Sequence, residues 1–173
     1  MKLLITGASG FLGRNILLSL PKDWKVVATY FKDETFIEFL KQNNLNQIKD
    51  LRIDLANSDY YKNFSKDLKS FDACVYLSAN GDPAYSVQAP LIDLRSNVTA
   101  LINVLENCDF KKFIYFSSGA VYDGLSGNVN PDSYLSPTLP YAISKWSAER
   151  YVMHAEKIGK IGIATVVRFF GAY

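Results

Sequence analysis

Thr6-Gly7-Ala8-Ser9-Gly10-Phe11-Leu12-Gly13 follows directly on the apolar run Leu3-Leu4-Ile5 and leads into a stretch of helical period. Glycines at 7, 10 and 13 between a buried strand and a helix are the context of a phosphate-cradling turn. There Gly7 permits the tight turn, Gly10 lets backbone approach a pyrophosphate, and Gly13 lets helix and strand pack closely. The free N–H groups and dipole of the new helix favour an anion, with Ser9, Phe11 and Leu12 beside it. The spacing differs from the usual G-x-G-x-x-G, and the alternative is three glycines that only shape a turn.

Outward from this turn, short apolar runs alternate with helical segments. Strands are expected at Lys2–Thr6, Lys25–Tyr30, Ile48–Ile53, Asp72–Leu77, Lys112–Ser117 and Gly162–Arg168. Helices are expected at Phe11–Leu20, Thr35–Gln42, Ser58–Leu68, Val87–Glu106 and Tyr141–Lys157, the fourth with an apolar stripe at Leu91, Leu94, Val98, Leu101 and Leu105. Crossovers of this length force parallel pairing, so the fold class is α/β: a doubly wound, Rossmann-type sheet in three αβα layers. The stretch Asp123–Pro140, with three prolines, reads as a long functional loop.

The chain has 173 residues, 49% apolar and 21% charged, enough for one substantial core. A net charge of +2 speaks against nucleic acid or an anionic membrane as partner. Leu3-Leu4-Ile5 is too short for a signal-peptide core, and no run reaches spanning length. Cys74 and Cys108 sit among apolar residues and read as buried reduced thiols, consistent with a cytoplasmic location. The single His154 lies in a polar helical stretch, so no metal site is expected.

Asp54, after the third strand, is placed either to accept a hydrogen bond from an adenine amino group or to cap the following helix. A carboxylate for the adenosine 2′-hydroxyl is expected at the end of the second strand. That stretch is Ala28-Thr29-Tyr30-Phe31-Lys32, with no acid before Asp33. Nothing at Tyr30 repels a 2′-phosphate and Lys32 attracts one, which favours NADP over NAD. Further on, Tyr141-Ala142-Ile143-Ser144-Lys145 puts a lysine four residues after a tyrosine, on one helix face. The ammonium favours tyrosinate, which brings a group of ordinary pKa near 10 into service as an acid/base. Ser118 ends a buried strand, where the active-site groups of open parallel sheets collect, and its hydroxyl is placed to hold a substrate oxygen.

This ordered set resembles the extended short-chain dehydrogenases/reductases that act on nucleotide sugars: epimerases, dehydratases and 4-keto reductases. The resemblance runs over essentially the whole chain. It rests on residues 6–13, Asp54-Leu55, Asn97-Val98, Ser117-Ser118-Gly119-Ala120-Val121-Tyr122, Tyr141-x-x-x-Lys145 and Arg168-Phe169-Phe170-Gly171. It implies that Tyr141 is the catalytic acid/base, that Lys145 holds the nicotinamide ribose and that Ser118 binds the reacting oxygen. It further implies that Asn97 supports the helix and proton relay. Leu77, Ser78 and Ala79 then run beside the cofactor with Leu55, and Phe169 packs near the nicotinamide. A nucleotide sugar is the implied substrate, and a homodimer through two long helices the implied assembly, with Trp146 and Tyr151 on that surface or in the core.

The chain departs from the family at Tyr76-Leu77-Ser78-Ala79-Asn80, where His-Leu-Ala-Ala is usual, at Gly171, often Asn, and at Asp123, inserted before Gly124. It ends at Tyr173 within the family's Arg-x-x-x-x-Tyr-Gly-Pro segment, whereas relatives continue into a substrate domain. The expectation is therefore a cofactor domain over residues 1–173, without its substrate domain and with little or no sugar turnover of its own. A cofactor-binding scaffold, or a reductase of a non-sugar ketone, is the alternative.

Overall fold

Each strand is a short apolar run followed by a crossover, so neighbouring strands run the same way. The computed structural model describes residues 1–63 and 68–171. Among them β1 (Lys2–Thr6), β2 (Lys25–Tyr30), β3 (Ile48–Arg52), β4 (Ser70–Tyr76), β5 (Asp109–Ser118) and β6 (Ile161–Phe169) form one parallel sheet, ordered β3-β2-β1-β4-β5-β6. Leu4 lies opposite Val27 on one side and Cys74 on the other. From β1 the chain winds outward through β2 and β3, then crosses back to β4 on the other flank. The loops above β1 and β4 therefore diverge and leave a crevice at the C-terminal edge of the sheet.

Alternation along the strands supplies both faces of the sandwich. Leu3 and Ile5 pack with Leu17 of α1 (Phe11–Ser19) and Phe36 and Leu40 of α2 (Thr35–Gln42). Leu4, Cys74 and Tyr115 face the opposite layer. There they meet Leu101 and Val104 of a later helix and Ala148 and Val152 of α6 (Pro140–Lys157). Cys74 and Cys108 are buried free thiols, and burial pushes the Cys108 thiol up to about 12. His154 is exposed on α6. Among the described residues no helix is long and apolar enough to cross a membrane.

Two expected helices differ. Over Ser58–Leu68 the structure has a 3-10 turn at Ser58–Asn63, tied down by the Tyr61 hydroxyl donating to the Leu55 carbonyl at 3.2 Å; residues 64–67 lie outside the described residues. The single helix expected over Val87–Glu106 is broken into α3 (Pro83–Gln88), α4 (Pro90–Leu94), a π-helical turn (Arg95–Thr99) and α5 (Ala100–Asn107). Pro90 bars the helical conformation at the residue before it, and Ala89 sits at φ −136°, ψ 63°. α3 starts early because the Asp82 carboxylate caps the N–H groups of Ala84 and Tyr85. The break and the wider turn rotate the apolar stripe. Val98, Leu101 and Leu105 are buried, but Leu91 is 76% and Leu94 46% exposed.

The long loop after β5 is anchored by one side chain. Arg168 on β6 pairs with Glu149 of α6 at 2.9 Å and donates to the Tyr122 hydroxyl at 2.8 Å and the Pro131 carbonyl at 3.0 Å. Asp123 closes the base of the loop by accepting from the Thr138 hydroxyl at 2.7 Å. Removing one partner of a buried pair strands the other charge. Glu149→Gln is expected to lower the unfolding free energy by about 3 kcal/mol in urea titration, and to speed proteolysis within residues 123–139. A loss below about 1 kcal/mol would mean that the pair behaves as a solvated one.

Candidate functional site

The crevice above β1 and β4 is a cleft of about 640 Å³. Its floor is the turn from β1 into α1. Gly7 has φ +63°, in the left-handed region that favours glycine, and a methyl there would lie 2.9 Å from the Ser78 backbone nitrogen. Gly13 is packed against Ala8 so closely that a methyl would stand 2.6 Å from the Ala8 backbone. Gly10 is different: the nearest protein atom to a methyl there would be 3.4 Å away, so its bare backbone leaves room towards the cleft. No side chain caps α1 and no acid lies in its first turn. Its leading N–H groups thus present a partial positive charge to the cleft floor.

The walls come from three loops. The buried Thr6 hydroxyl accepts from the N–H groups of Leu77 and Ser78 at 3.1 and 3.2 Å, which draws the Leu77–Ala79 loop alongside the glycine turn. Asp54 and Leu55 form the far wall. Asp54 accepts from the Ala56 N–H at 3.0 Å and pairs with Arg95 at 3.0 Å, so it makes a local turn and still faces the cleft. Tyr30 and Lys32 line the third side, as expected, but so does Asp33. That carboxylate is engaged on both oxygens. Thr35 donates to Oδ1 at 2.6 Å and Arg14 to Oδ2 at 2.8 Å, and together they hold it below the usual carboxylate range.

Ten expected contact residues thus share one cleft, from Gly7, Ser9 and Gly10 through Tyr30, Lys32, Asp54 and Leu55 to Leu77, Ser78 and Ala79. Phe11 is 62% exposed at the start of α1, and Leu12 and Gly13 lie behind the floor rather than on it. Phe169 packs on Phe116, ring centroids 6.1 Å apart, and is not part of the cleft wall. Residues missed from sequence include Asp33, Ile92, Arg95 and Ser96. The last two belong to the π-helical turn, which turns them to the cleft while Asn97 points inward, and helical periodicity carries no sign of such a turn.

The second part of the site lies above β5. Ser118 ends that strand, its hydroxyl accepting from the Ala120 N–H at 3.1 Å. Tyr141 and Lys145 share one face of the first turns of α6. The Tyr141 N–H is satisfied by the Ser86 hydroxyl at 3.1 Å, and Asn97 donates to the Ser144 hydroxyl at 2.9 Å. Lys145 is buried, its Nζ 4.5 Å from the Tyr115 ring centroid and donating to the Phe116 carbonyl at 2.6 Å. Burial pushes its pKa down to about 8, against the opposing pull of Glu149 and then Asp93. Such an arrangement offers an anion-binding floor, a slot for flat rings, and a tyrosine with a buried ammonium one turn away.

Comparison with known proteins agrees with this geometry. Residues 3–173 match the family model described as NAD dependent epimerase/dehydratase family. UDP-glucuronate 4-epimerase of Thermodesulfobacterium geofontis is 29% identical over 98% of this chain and 55% of its own length. A dTDP-D-glucose 4,6-dehydratase of Dictyostelium discoideum is 27% identical over 94% of this chain and 42% of its own. Among solved structures, the UDP-Glc/GlcNAc 4-epimerase of Campylobacter jejuni superposes with TM-score 0.86 at 25% identity, over 98% of this chain and 53% of that one. The UDP-glucuronic acid 4-epimerase of Bacillus cereus, in complex with UDP-glucuronic acid and NAD, gives 0.81 at 26% identity, over 100% and 57%. The chain spans about half the length of the relatives it matches.

A lysine whose folded pKa lies below its unfolded value binds fewer protons in the native state. Its burial penalty is present in full below about pH 8 and is lifted as pH rises towards 10.5. Relative to Lys145→Met, the wild-type chain is therefore expected to gain unfolding free energy between about pH 8 and 10.5 and to hold a constant difference below that window. Paired urea titrations along the pH series check this; parallel curves throughout would contradict it.

Proposed function

This chain belongs to the NAD dependent epimerase/dehydratase family, and from that membership we propose that residues 1–173 are the dinucleotide-binding part of an enzyme acting on a nucleotide-linked sugar. The observation that carries this reading is the shared C-terminal edge of the sheet: the uncapped start of α1 faces the cleft after β1, and at the end of β5 Lys145 of α6 donates to the Phe116 carbonyl, with Tyr141 one turn before it. In this reading the backbone of Gly7, Ser9 and Gly10 binds the pyrophosphate, with Phe11, Leu12 and Gly13 holding the start of α1. Asp54 and Leu55 flank the adenine, and Leu77, Ser78 and Ala79 run beside the dinucleotide. Lys145 and Asn97 orient the nicotinamide end, near which Phe169 is proposed to pack.

The bound nicotinamide supplies the hydride donor or acceptor. What the chain contributes is proton handling. Ser118 holds the sugar oxygen, and Tyr141 takes the proton of a C4 hydroxyl in an epimerase or dehydratase, or gives one to the oxygen of a 4-keto sugar in a reductase. A neighbouring ammonium lowers the cost of the tyrosinate.

The family is NAD-dependent, and the Bacillus cereus relative was solved with NAD. Within that frame we propose a preference for the 2′-phosphorylated form, which goes with net reduction. In support, the one acid on this wall, Asp33, already has both oxygens engaged by Arg14 and Thr35. Lys32 is exposed beside it, and Arg52 reaches the same loop, donating to the Phe31 carbonyl at 3.1 Å. We also propose a homodimer through α4 and α6, supported by exposed Leu91, Leu94 and Tyr151. Light scattering at high concentration tests it, and a monomer throughout would refute it.

Titration with NADPH and NADH, followed by nicotinamide fluorescence, tests the central reading. Gly10→Ala is expected to leave stability within about 0.5 kcal/mol, because a methyl there meets no protein atom closer than 3.4 Å. The same change is expected to weaken both dinucleotides by roughly tenfold or more. Lys32→Ala should weaken NADPH alone, by roughly fivefold, the worth of one exposed charge contact. Equal loss for both dinucleotides would remove the proposed preference, and wild-type protein that binds neither would overturn the function.

A further inference from the structure

Arg95 opens the π-helical turn and lines the cleft beside Ser96. Its Nη2 donates to Asp54 Oδ2 at 3.0 Å. The guanidinium makes no other hydrogen bond among the described residues, and its side chain is 56% exposed against 25% for Asp54. An ion pair at that exposure adds little to folding stability. Its consequence lies in what it presents to the cleft.

Asp54 is fixed from two sides. Its Oδ1 accepts from the Ala56 N–H at 3.0 Å and its Oδ2 from Arg95. A carboxylate held on both oxygens is a firm anchor for the guanidinium bound to it. The five N–H donors of a guanidinium lie in its plane, so the bond to Asp54 engages one edge and leaves both faces open. Those faces are where an aromatic ring stacks on a planar cation. Holding the group in place beforehand removes part of the ordering cost that a mobile arginine would incur on binding.

The surroundings suit a base rather than a phosphate. Leu55 follows Asp54 in the chain and Ile92 lies one helical turn before Arg95, and both line the same cleft. Ile92 is apolar yet 49% exposed. A flat cation bordered by apolar side chains offers a ring both electrostatic and dispersion contact. A phosphate needs converging donors instead, and the uncapped start of α1 supplies those from the cleft floor. The Asp54 carboxylate also answers the charge of Arg95, which weakens its pull on an anion while its faces stay open.

We propose that Arg95 is a binding residue for the base of the dinucleotide: with its edge held by Asp54, its guanidinium is the plate on which the adenine ring stacks, bordered by Leu55 and Ile92. This rests on the dinucleotide-binding function proposed above. It gives the π-helical turn a task, because that turn presents Arg95 to the cleft while Asn97 stays buried.

Calorimetric titration of the 173-residue chain with AMP and with NADH tests this on wild type, Arg95→Ala and Arg95→Lys. Both variants alter an exposed side chain, and their urea midpoints are expected to match wild type. Arg95→Ala is expected to weaken AMP and NADH by the same factor, roughly fivefold to tenfold, the worth of one cation–π contact. Arg95→Lys keeps the charge but not the plate, and is expected to lose most of that affinity too. Unchanged AMP affinity in Arg95→Ala overturns the proposal. So does wild-type affinity in Arg95→Lys, which would mean that a point charge is enough. If Arg95→Ala fails to fold, Arg95→Lys decides alone. Wild-type protein that binds AMP through Arg95 but not NADH would overturn the dinucleotide function and leave the base plate standing. NADH binding indifferent to Arg95 would do the reverse, and binding of neither would overturn both.

Discussion

The distance between Gly13 and Ala8, too short for a methyl group to fit, is the constraint from which the site is built. It fixes the start of α1 directly over the end of β1. The positive φ of Gly7 then turns the chain under the loop that follows β4, where Thr6 receives two backbone N–H groups. Had either glycine carried a side chain, α1 would stand away from the sheet and its leading N–H groups would not face the crevice. Strand order makes a crevice available between β1 and β4, and these close backbone approaches give it a polar floor.

A second feature is the polar interior beneath α6. Lys145, Glu149, Asp93, Asn97 and Ser144 are buried where an apolar core would be more stable. Asn97 donates both to Asp93 of α4 and to Ser144 of α6, and Glu149 is matched by Arg168. Such a network is a poor way to hold a helix and a good way to fix its orientation, because each acceptor-only or donor-only group allows one arrangement. The same Arg168 anchors the long loop at Pro131, so the loop, the edge strand and α6 are joined at one guanidinium.

Sequence pattern and structure part company where a local rule is overridden. The stripe Leu91, Leu94, Val98, Leu101, Leu105 is periodic, yet its first two members face outward because Pro90 breaks the helix and the π-helical turn adds a residue. The segment after β3 forms a 3-10 turn, held by the Leu55 carbonyl, over the first part of its expected helix. Asp33 follows Lys32 in sequence and looks too late to reach the cleft. It reaches it because the chain bends after Tyr30, and Arg14, from a different element, then occupies it.

By itself the sequence determined the strand–helix alternation, the parallel doubly wound sheet, and the positions of Gly7, Gly10 and Gly13. It also determined the i, i+4 spacing of Tyr141 and Lys145. These depend on local steric rules and on the burial of one face of each element, both of which act between residues close in the chain. Only the tertiary structure decided that Arg14 covers Asp33, that Arg95 closes on Asp54, and that Asn97 donates to Ser144 of α6. Those pairings join residues 19, 41 and 47 positions apart. A charge or an amide side chain has no partner until packing brings distant elements together, and the low dielectric of the interior then makes the pairing matter.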